Sequence, residues 1–176
     1  MSLEHLWAGW RSEYIESATE EDRRAGDGAA CVFCGLLASG RPDTETHVVW
    51  RHPAGRVVGL LNAYPYASGH LMVMPVRHAR ALDELLPGEA GDLWSGVTAA
   101  VSALRTAYRP DGINVGINLG RAAGAGIPGH LHVHAVPRWA GDTNFMTSVA
   151  GTRVLPESLD TSARRVREAW AATPPV

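Results

Sequence analysis

The chain predicts an α+β domain with a mostly antiparallel sheet and one long helix, and three observations carry that expectation. Strand-like runs precede and follow a single long helical pattern. Neighbouring runs are joined by short, turn-rich connections that suit antiparallel partners. Residues 130–134 alternate imidazole with aliphatic side chains at the two-residue period of a strand. At 176 residues the chain is the size of one domain able to bury a real core.

Taken in order, Leu6 to Ala18 carries Trp7, Trp10, Tyr14 and Ile15 at helix-like spacing, which reads as a short helix or ordered arm. Glu20 to Gly28 is a charged, glycine-containing linker. After Cys34 a turn-rich stretch runs from Ala38 to Thr44. Strand-like runs follow at Thr46 to Trp50 and Arg56 to Leu61, and the turn His52-Pro53-Ala54-Gly55 between them makes a hairpin. Asn62 to Gly69 is a loop leading into a strand at Leu71 to Met74 that stops at Pro75, with Met72 and Met74 as core packing. Pro87 stands before Leu93, Trp94, Val97, Ala100, Val101 and Leu104 at three- and four-residue steps, so Gly88 to Tyr108 is a helix. Turn chemistry at Arg109-Pro110-Asp111-Gly112 ends it. Ile113 to Leu119 alternates as a strand, Gly120 to Gly129 forms a Gly/Ala loop, and the histidine strand follows. Glu157 to Ala172 is a second helix whose Arg164, Arg165 and Arg167 read as a solvated face.

Composition excludes several functions. Net charge is −2 with 19% charged residues, so no polybasic footprint for nucleic acid is present. No signal peptide or bilayer-spanning apolar run is evident, which makes the cytoplasm the expected compartment and leaves no membrane partner. All 16 basic residues are arginine, and the missing lysine removes P-loop and Schiff-base chemistry. Phosphate contacts must come from Arg, His, amides, hydroxyls or backbone N–H groups.

The centre of interest is His130-Leu131-His132-Val133-His134. In an extended segment three imidazoles line one surface at steps of about 6.6 Å, and each can serve as nucleophile, proton donor or metal ligand near neutral pH. A zinc hydrolase using these imidazoles as ligands around an open water position is the rival to nucleophilic chemistry. Cys31-Val32-Phe33-Cys34 has no strand in front of it, which disfavours a thioredoxin-like redox pair and favours half a zinc site. The remaining ligands would come from His47, His52, His70, His78 or the triplet. Gly120, Gly124, Gly126 and Gly129, just before the triplet, allow backbone N–H groups to approach an anion.

These motifs resemble the histidine triad (HIT) superfamily of nucleotide hydrolases and transferases. The resemblance spans nearly the whole chain: Cys31-x-x-Cys34, Leu61-Asn62, Gly69-His70-Leu71-Met72-Val73-Met74-Pro75, Asn118-x-Gly120, the triad through Arg138, and Gly141-Asp142-Thr143-Asn144-Phe145 fall in family order. The opening Leu6 to Ile15 is similar in particular to the actinobacterial diadenosine tetraphosphate phosphorylase-like branch. The resemblance implies a HIT-like fold, with an N-terminal arm at 1–30, the HIT domain at 31–150 and a C-terminal helical extension at 151–176.

For function the resemblance implies a nucleotidyl-transferring enzyme that cleaves dinucleoside polyphosphates. His132 would attack the α-phosphorus, and His134 would contact the phosphate and assist the leaving group. Asn118, Gly120 and Gly126 would stabilise the non-bridging oxygens, and Asn62 would lie near the ribose. A structural Zn2+ would be held by Cys31, Cys34, His78 and His130. The enzyme would be a homodimer, the long helix around Trp94 and Val101 with the adjoining sheet edge being one surface for it. Water or phosphate would be the second acceptor, phosphate being drawn in by loop N–H groups and Arg121 or Arg138. The loop Gly124-Ala125-Gly126-Ile127-Pro128-Gly129 lacks the hydroxyl residue common in the family, which leaves room for altered chemistry or a nucleotide-binding module with little turnover.

Overall fold

A computed structural model describes residues 31–142 and 157–172. The expected arm at Leu6 to Ala18, the linker after it and Thr143 to Phe145 lie outside the described residues. Five strands, β1 (Val48–Arg51), β2 (Val57–Leu61), β3 (Leu71–Pro75), β4 (Gly112–Ile117) and β5 (Val133–Arg138), form one antiparallel sheet in the order β1-β2-β3-β5-β4. This is the α+β architecture expected.

The two faces of the sheet have different covers. The long helix α3 (Glu89–Tyr108) and the C-terminal helix α4 (Leu159–Ala171) pack on one face. Leu93, Val97, Ala100 and Leu104 of α3, with Val166 and Trp170 of α4, meet Val57, Leu71, Val73 and Val133 of the sheet. Trp170 stacks on Trp50 with ring centroids 5.0 Å apart. Gly96 lets helix and sheet close up: a Cβ there would meet Trp50 and Val73 side chains at 3.0 Å. The opposite face carries a smaller cluster of Phe33, Val48, Val58, Leu60, Met72 and Met74, including both methionines expected in the core.

Several elements differ from the sequence expectation. Helix α1 (Val32–Ala38) begins immediately after Cys31, and α2 (Asp43–Thr46) occupies a stretch expected to be turns. Seven and four residues are too few for a hydrophobic period to show. Burial of Phe33 anchors the first, and the second ends at His47 in the left-handed region (φ 54°). Strand β5 begins at Val133, so His130 and His132 lie on the approach to the strand and only His134 lies within it. Of the three arginines expected on a solvated face, Arg167 instead donates to the Val48 carbonyl (2.8 and 3.0 Å) and the Asp43 carbonyl (2.7 Å), tying α4 to β1. No described helix is long and apolar enough to cross a membrane.

Candidate active site

The sheet register sets out the site. His134 pairs with Met72, Met72 with Leu60 and Leu60 with Val48, so these four residues form a row across the strands on the α1 face. A cavity of about 570 Å³ lies over that row, within the range of small-molecule sites. His132 and His134 stand at one end; Val32, Phe33, Leu36, Leu60, Met72 and Ile127 make its apolar walls. Asn62, Asn118, Gly124 and Gly126 also border it. Gly120, expected among the anion-binding glycines, does not: with φ 77° it opens the 3-10 turn Arg121–Ala123.

Hydrogen bonds assign the tautomers of the buried imidazoles. The His132 Nδ1 lies 2.7 Å from the His130 carbonyl, which can only accept, so Nδ1 carries the proton and Nε2 is left as a lone pair. The Tyr66 N–H donates to His70 Nδ1 at 3.0 Å, so the neutral His70 carries its proton on Nε2. That nitrogen stands 3.0 Å from His134 Nδ1 and donates to it. His134 therefore bears its own proton on Nε2. The rings of His132 and His134, 4.8 Å apart and nearly perpendicular, thus offer one lone pair and one N–H.

Burial keeps both rings neutral. It lowers the pKa of His132, and burial followed by the nearby His132 pushes His134 down to about 4. A neutral imidazole is the nucleophilic form.

Asn62 accepts from the Tyr64 N–H at 2.9 Å through Oδ1, so its amide nitrogen remains as the donor on the cavity side. The Asn118 amide donates to the Gly124 carbonyl at 3.5 Å, a long contact that ties the glycine loop to the end of β4. Among the described residues no arginine borders the cavity. Arg138, one of two guanidiniums expected to draw phosphate, holds Asp142 through two hydrogen bonds (2.6 and 2.7 Å).

His130 faces another way. Its Nε2 donates to the Pro75 carbonyl at 2.9 Å, which leaves Nδ1 as an electron pair 3.3 Å from Cys31 Sγ and 3.6 Å from Cys34 Sγ. His78 Nδ1 lies 3.4 Å from Cys34 Sγ. The four ligand atoms all fall within 4.8 Å of one another, and among the described residues no other group of three metal-ligating side chains does so. Tetrahedral zinc with Cys₂His₂ ligands has edges of about 3.3–3.8 Å, and the three N–S separations of 3.3, 3.4 and 3.6 Å match them, so the donor set fits such an ion. The bond from His130 Nε2 to a backbone carbonyl is of the kind that fixes the tautomer of an imidazole for metal binding through its other nitrogen. Because His130 turns to the thiols, the triplet does not assemble as a metal cluster of its own, contrary to the rival reading.

His70 was visible in the sequence only as a candidate metal ligand and as part of a motif. No periodicity announces its bond to His134, because the contact depends on the β3–β5 register. Phe33 is likewise set by a local helix too short to read; its ring lies edge-on to His130 and His132 at 5.6 and 5.4 Å.

Comparison with known proteins agrees with this geometry. The HIT domain matches residues 41–141. A Mycobacterium tuberculosis protein described as AP-4-A phosphorylase is 38% identical over 174 residues, covering 98% of this chain and 87% of its own. A Schizosaccharomyces pombe bis(5'-nucleosyl)-tetraphosphatase (asymmetrical) is 34% identical over 82 residues, 47% of this chain and 44% of that one. Among solved structures, a Zn-bound histidine triad family protein from Mycobacterium smegmatis superposes with a TM-score of 0.65 at 28% identity, over 81% of this chain and 94% of that one. The chain belongs to the histidine triad family.

Proposed function

We propose that the protein is a nucleotidyl-transferring enzyme acting on dinucleoside polyphosphates through a covalent nucleotidyl-histidine. The observation that carries this reading is the pair of tautomers: a lone pair on His132 Nε2 beside an N–H on His134 Nε2, both on one cavity.

In the first step His132 Nε2 forms a bond to the α-phosphorus, and the bond from that phosphorus to the leaving polyphosphate oxygen breaks. His134 Nε2 passes its proton to the departing oxygen and becomes an acceptor. Charge on the non-bridging oxygens is met by the Asn118 amide and by backbone N–H groups near Gly126. In the second step an acceptor oxygen attacks the phosphorus, the P–N bond breaks, and the acceptor's proton returns to His134. The base lies in the apolar slot between Phe33, Leu36 and Leu60, and Asn62 donates to the ribose.

Phosphate as acceptor is supported by the description of the mycobacterial relative. Water is the second reading, favoured by a cavity lining without arginine among the described residues. Zinc bound at Cys31, Cys34, His78 and His130 would supply structural cross-linking, with all four positions taken by protein atoms. His130 would then hold both the ion, through Nδ1, and the nucleophile, through its carbonyl. The functional unit is a homodimer through the exposed edge strand β4 and the outer side of α3, where Val115 and Trp94 are open to solvent.

Incubation with diadenosine tetraphosphate, with and without inorganic phosphate, tests the reading. ADP and ATP in phosphate-dependent yield mean phosphorolysis; AMP and ATP irrespective of phosphate mean hydrolysis; no cleavage contradicts the proposal.

A further inference from the structure

The cavity continues well past the two histidines. From His134 the row through Met72 and Leu60 to Val48 crosses three strand spacings, about 14 Å, the order of length of a nucleotide laid across the strands. The walls along it are apolar, but the far end is closed by Glu45, Thr46 and His47. Thr46 spends its hydroxyl on the Pro42 carbonyl, and Glu45 is drawn to Arg41 at 3.2 Å.

His47 is different. Its Nδ1 is buried with no hydrogen-bond partner among the described residues, and the nearest charged group is the Asp160 carboxylate at 3.7 Å. The side chain as a whole is 26% exposed and borders the cavity, and Nδ1 contributes nothing to that exposure, so the accessible part of the ring lies among its other atoms. A carboxylate near Nδ1 favours the tautomer that carries its proton on that nitrogen. Nε2 is then a hydrogen-bond acceptor at the end of an apolar slot. The backbone at 47 is left-handed (φ 54°) where α2 ends, a position that glycine or asparagine fills with less strain. The turn therefore does not call for an imidazole.

We propose that His47 reads the outer edge of the nucleobase, its Nε2 accepting a hydrogen bond from an exocyclic amine, so that the site favours adenine over hypoxanthine. This deepens the nucleotide reading above and rests on it. Hypoxanthine carries a carbonyl where adenine carries its amine, which sets two acceptors against each other in a desolvated slot. Mismatched buried polar groups of this kind are discriminated by about 10- to 100-fold.

The test is calorimetric titration with AMP and with IMP, alongside turnover of diadenosine tetraphosphate, on the full chain and on His47→Gly. Glycine suits the left-handed backbone, and His47→Asn provides a second variant that tolerates the same φ. AMP binding at least 10-fold tighter than IMP, with the ratio falling toward one in both variants, supports the assignment. Equal affinities in the native protein, or an unchanged ratio in the variants, overturn it even while turnover of the dinucleotide upholds the nucleotide reading. Failure to bind either nucleotide, with no turnover, overturns both.

Discussion

Replacing His70 tests whether the proton on His134 is placed by a neighbour. The ring is fully buried, accepts from the Tyr66 N–H and donates to His134 Nδ1, each at 3.0 Å. His70→Phe removes both bonds; His70→Gln restores a donor near the Nε2 position but not the acceptor for Tyr66. A buried hydrogen bond contributes about 1 kcal/mol net, and orphaning the Tyr66 N–H costs roughly 1–3 kcal/mol of stability. Without its partner His134 divides between two tautomers, one of which points no proton at the leaving group. A misplaced general acid, whose full contribution is about 10²–10⁴-fold, should cost His70→Phe about 10- to 100-fold in kcat, or roughly 1.4–2.7 kcal/mol. His70→Gln should recover most of the rate while remaining less stable than the native protein. The assay compares diadenosine tetraphosphate with a 4-nitrophenyl ester of AMP, whose leaving group needs little protonation. The loss should shrink with the ester. An undiminished kcat in His70→Phe, or equal losses on both substrates, would refute the reasoning.

Other outcomes follow from the same geometry. One zinc per chain is expected by metal analysis, and a chelator should lower the melting temperature, as should Cys34→Ser; a metal-free protein of unchanged stability would contradict the Cys31, Cys34, His78 and His130 site. His132 and His134 both titrate below the usual histidine value, so the unfolded chain binds more protons than the folded one between about pH 6.5 and 4, and stability should fall on acidification through that window. For His134 alone the shift to about 4 is worth roughly 3 kcal/mol, reduced to about 2 kcal/mol by solvent screening of a partly open ring; urea midpoints across pH check it, and a flat profile would count against buried neutral rings. Sedimentation should give a dimer at micromolar concentration, and Val115→Asp on the exposed strand β4 should give a monomer; a native monomer rejects the interface.

What could be read in advance depended on how local the physics was. The period-2 pattern around His132 and the 3.6-period pattern of α3 are properties of neighbouring residues, and both elements lie close to where the residues place them. The division of the triad was not local. His130 leaves its fellows because its Nδ1 meets two thiols 99 and 96 residues earlier in the chain. Family resemblance, rather than spacing, pointed to the grouping of Cys31, Cys34, His78 and His130, which the structure brings together as a cluster able to hold a metal. The bond between His70 and His134 needed the antiparallel register of β3 and β5, which no pattern within either strand specifies. Arg167 likewise read as surface because a helix period cannot show that two carbonyls lie above its side chain. Among the glycines, composition alone did not separate Gly126, which borders the cavity, from Gly120, which turns the chain.

The central claim is the nucleophilic role of His132, and a direct measurement is mass spectrometry of the protein quenched during turnover of diadenosine tetraphosphate. The quench should be alkaline and denaturing, because P–N bonds are lost in acid. An added adenylyl mass on the peptide carrying His132, absent from His132→Asn, which retains nucleotide binding but not turnover, is the predicted result. Turnover by His132→Asn at near-native rate, or an adduct located on another residue, would contradict it.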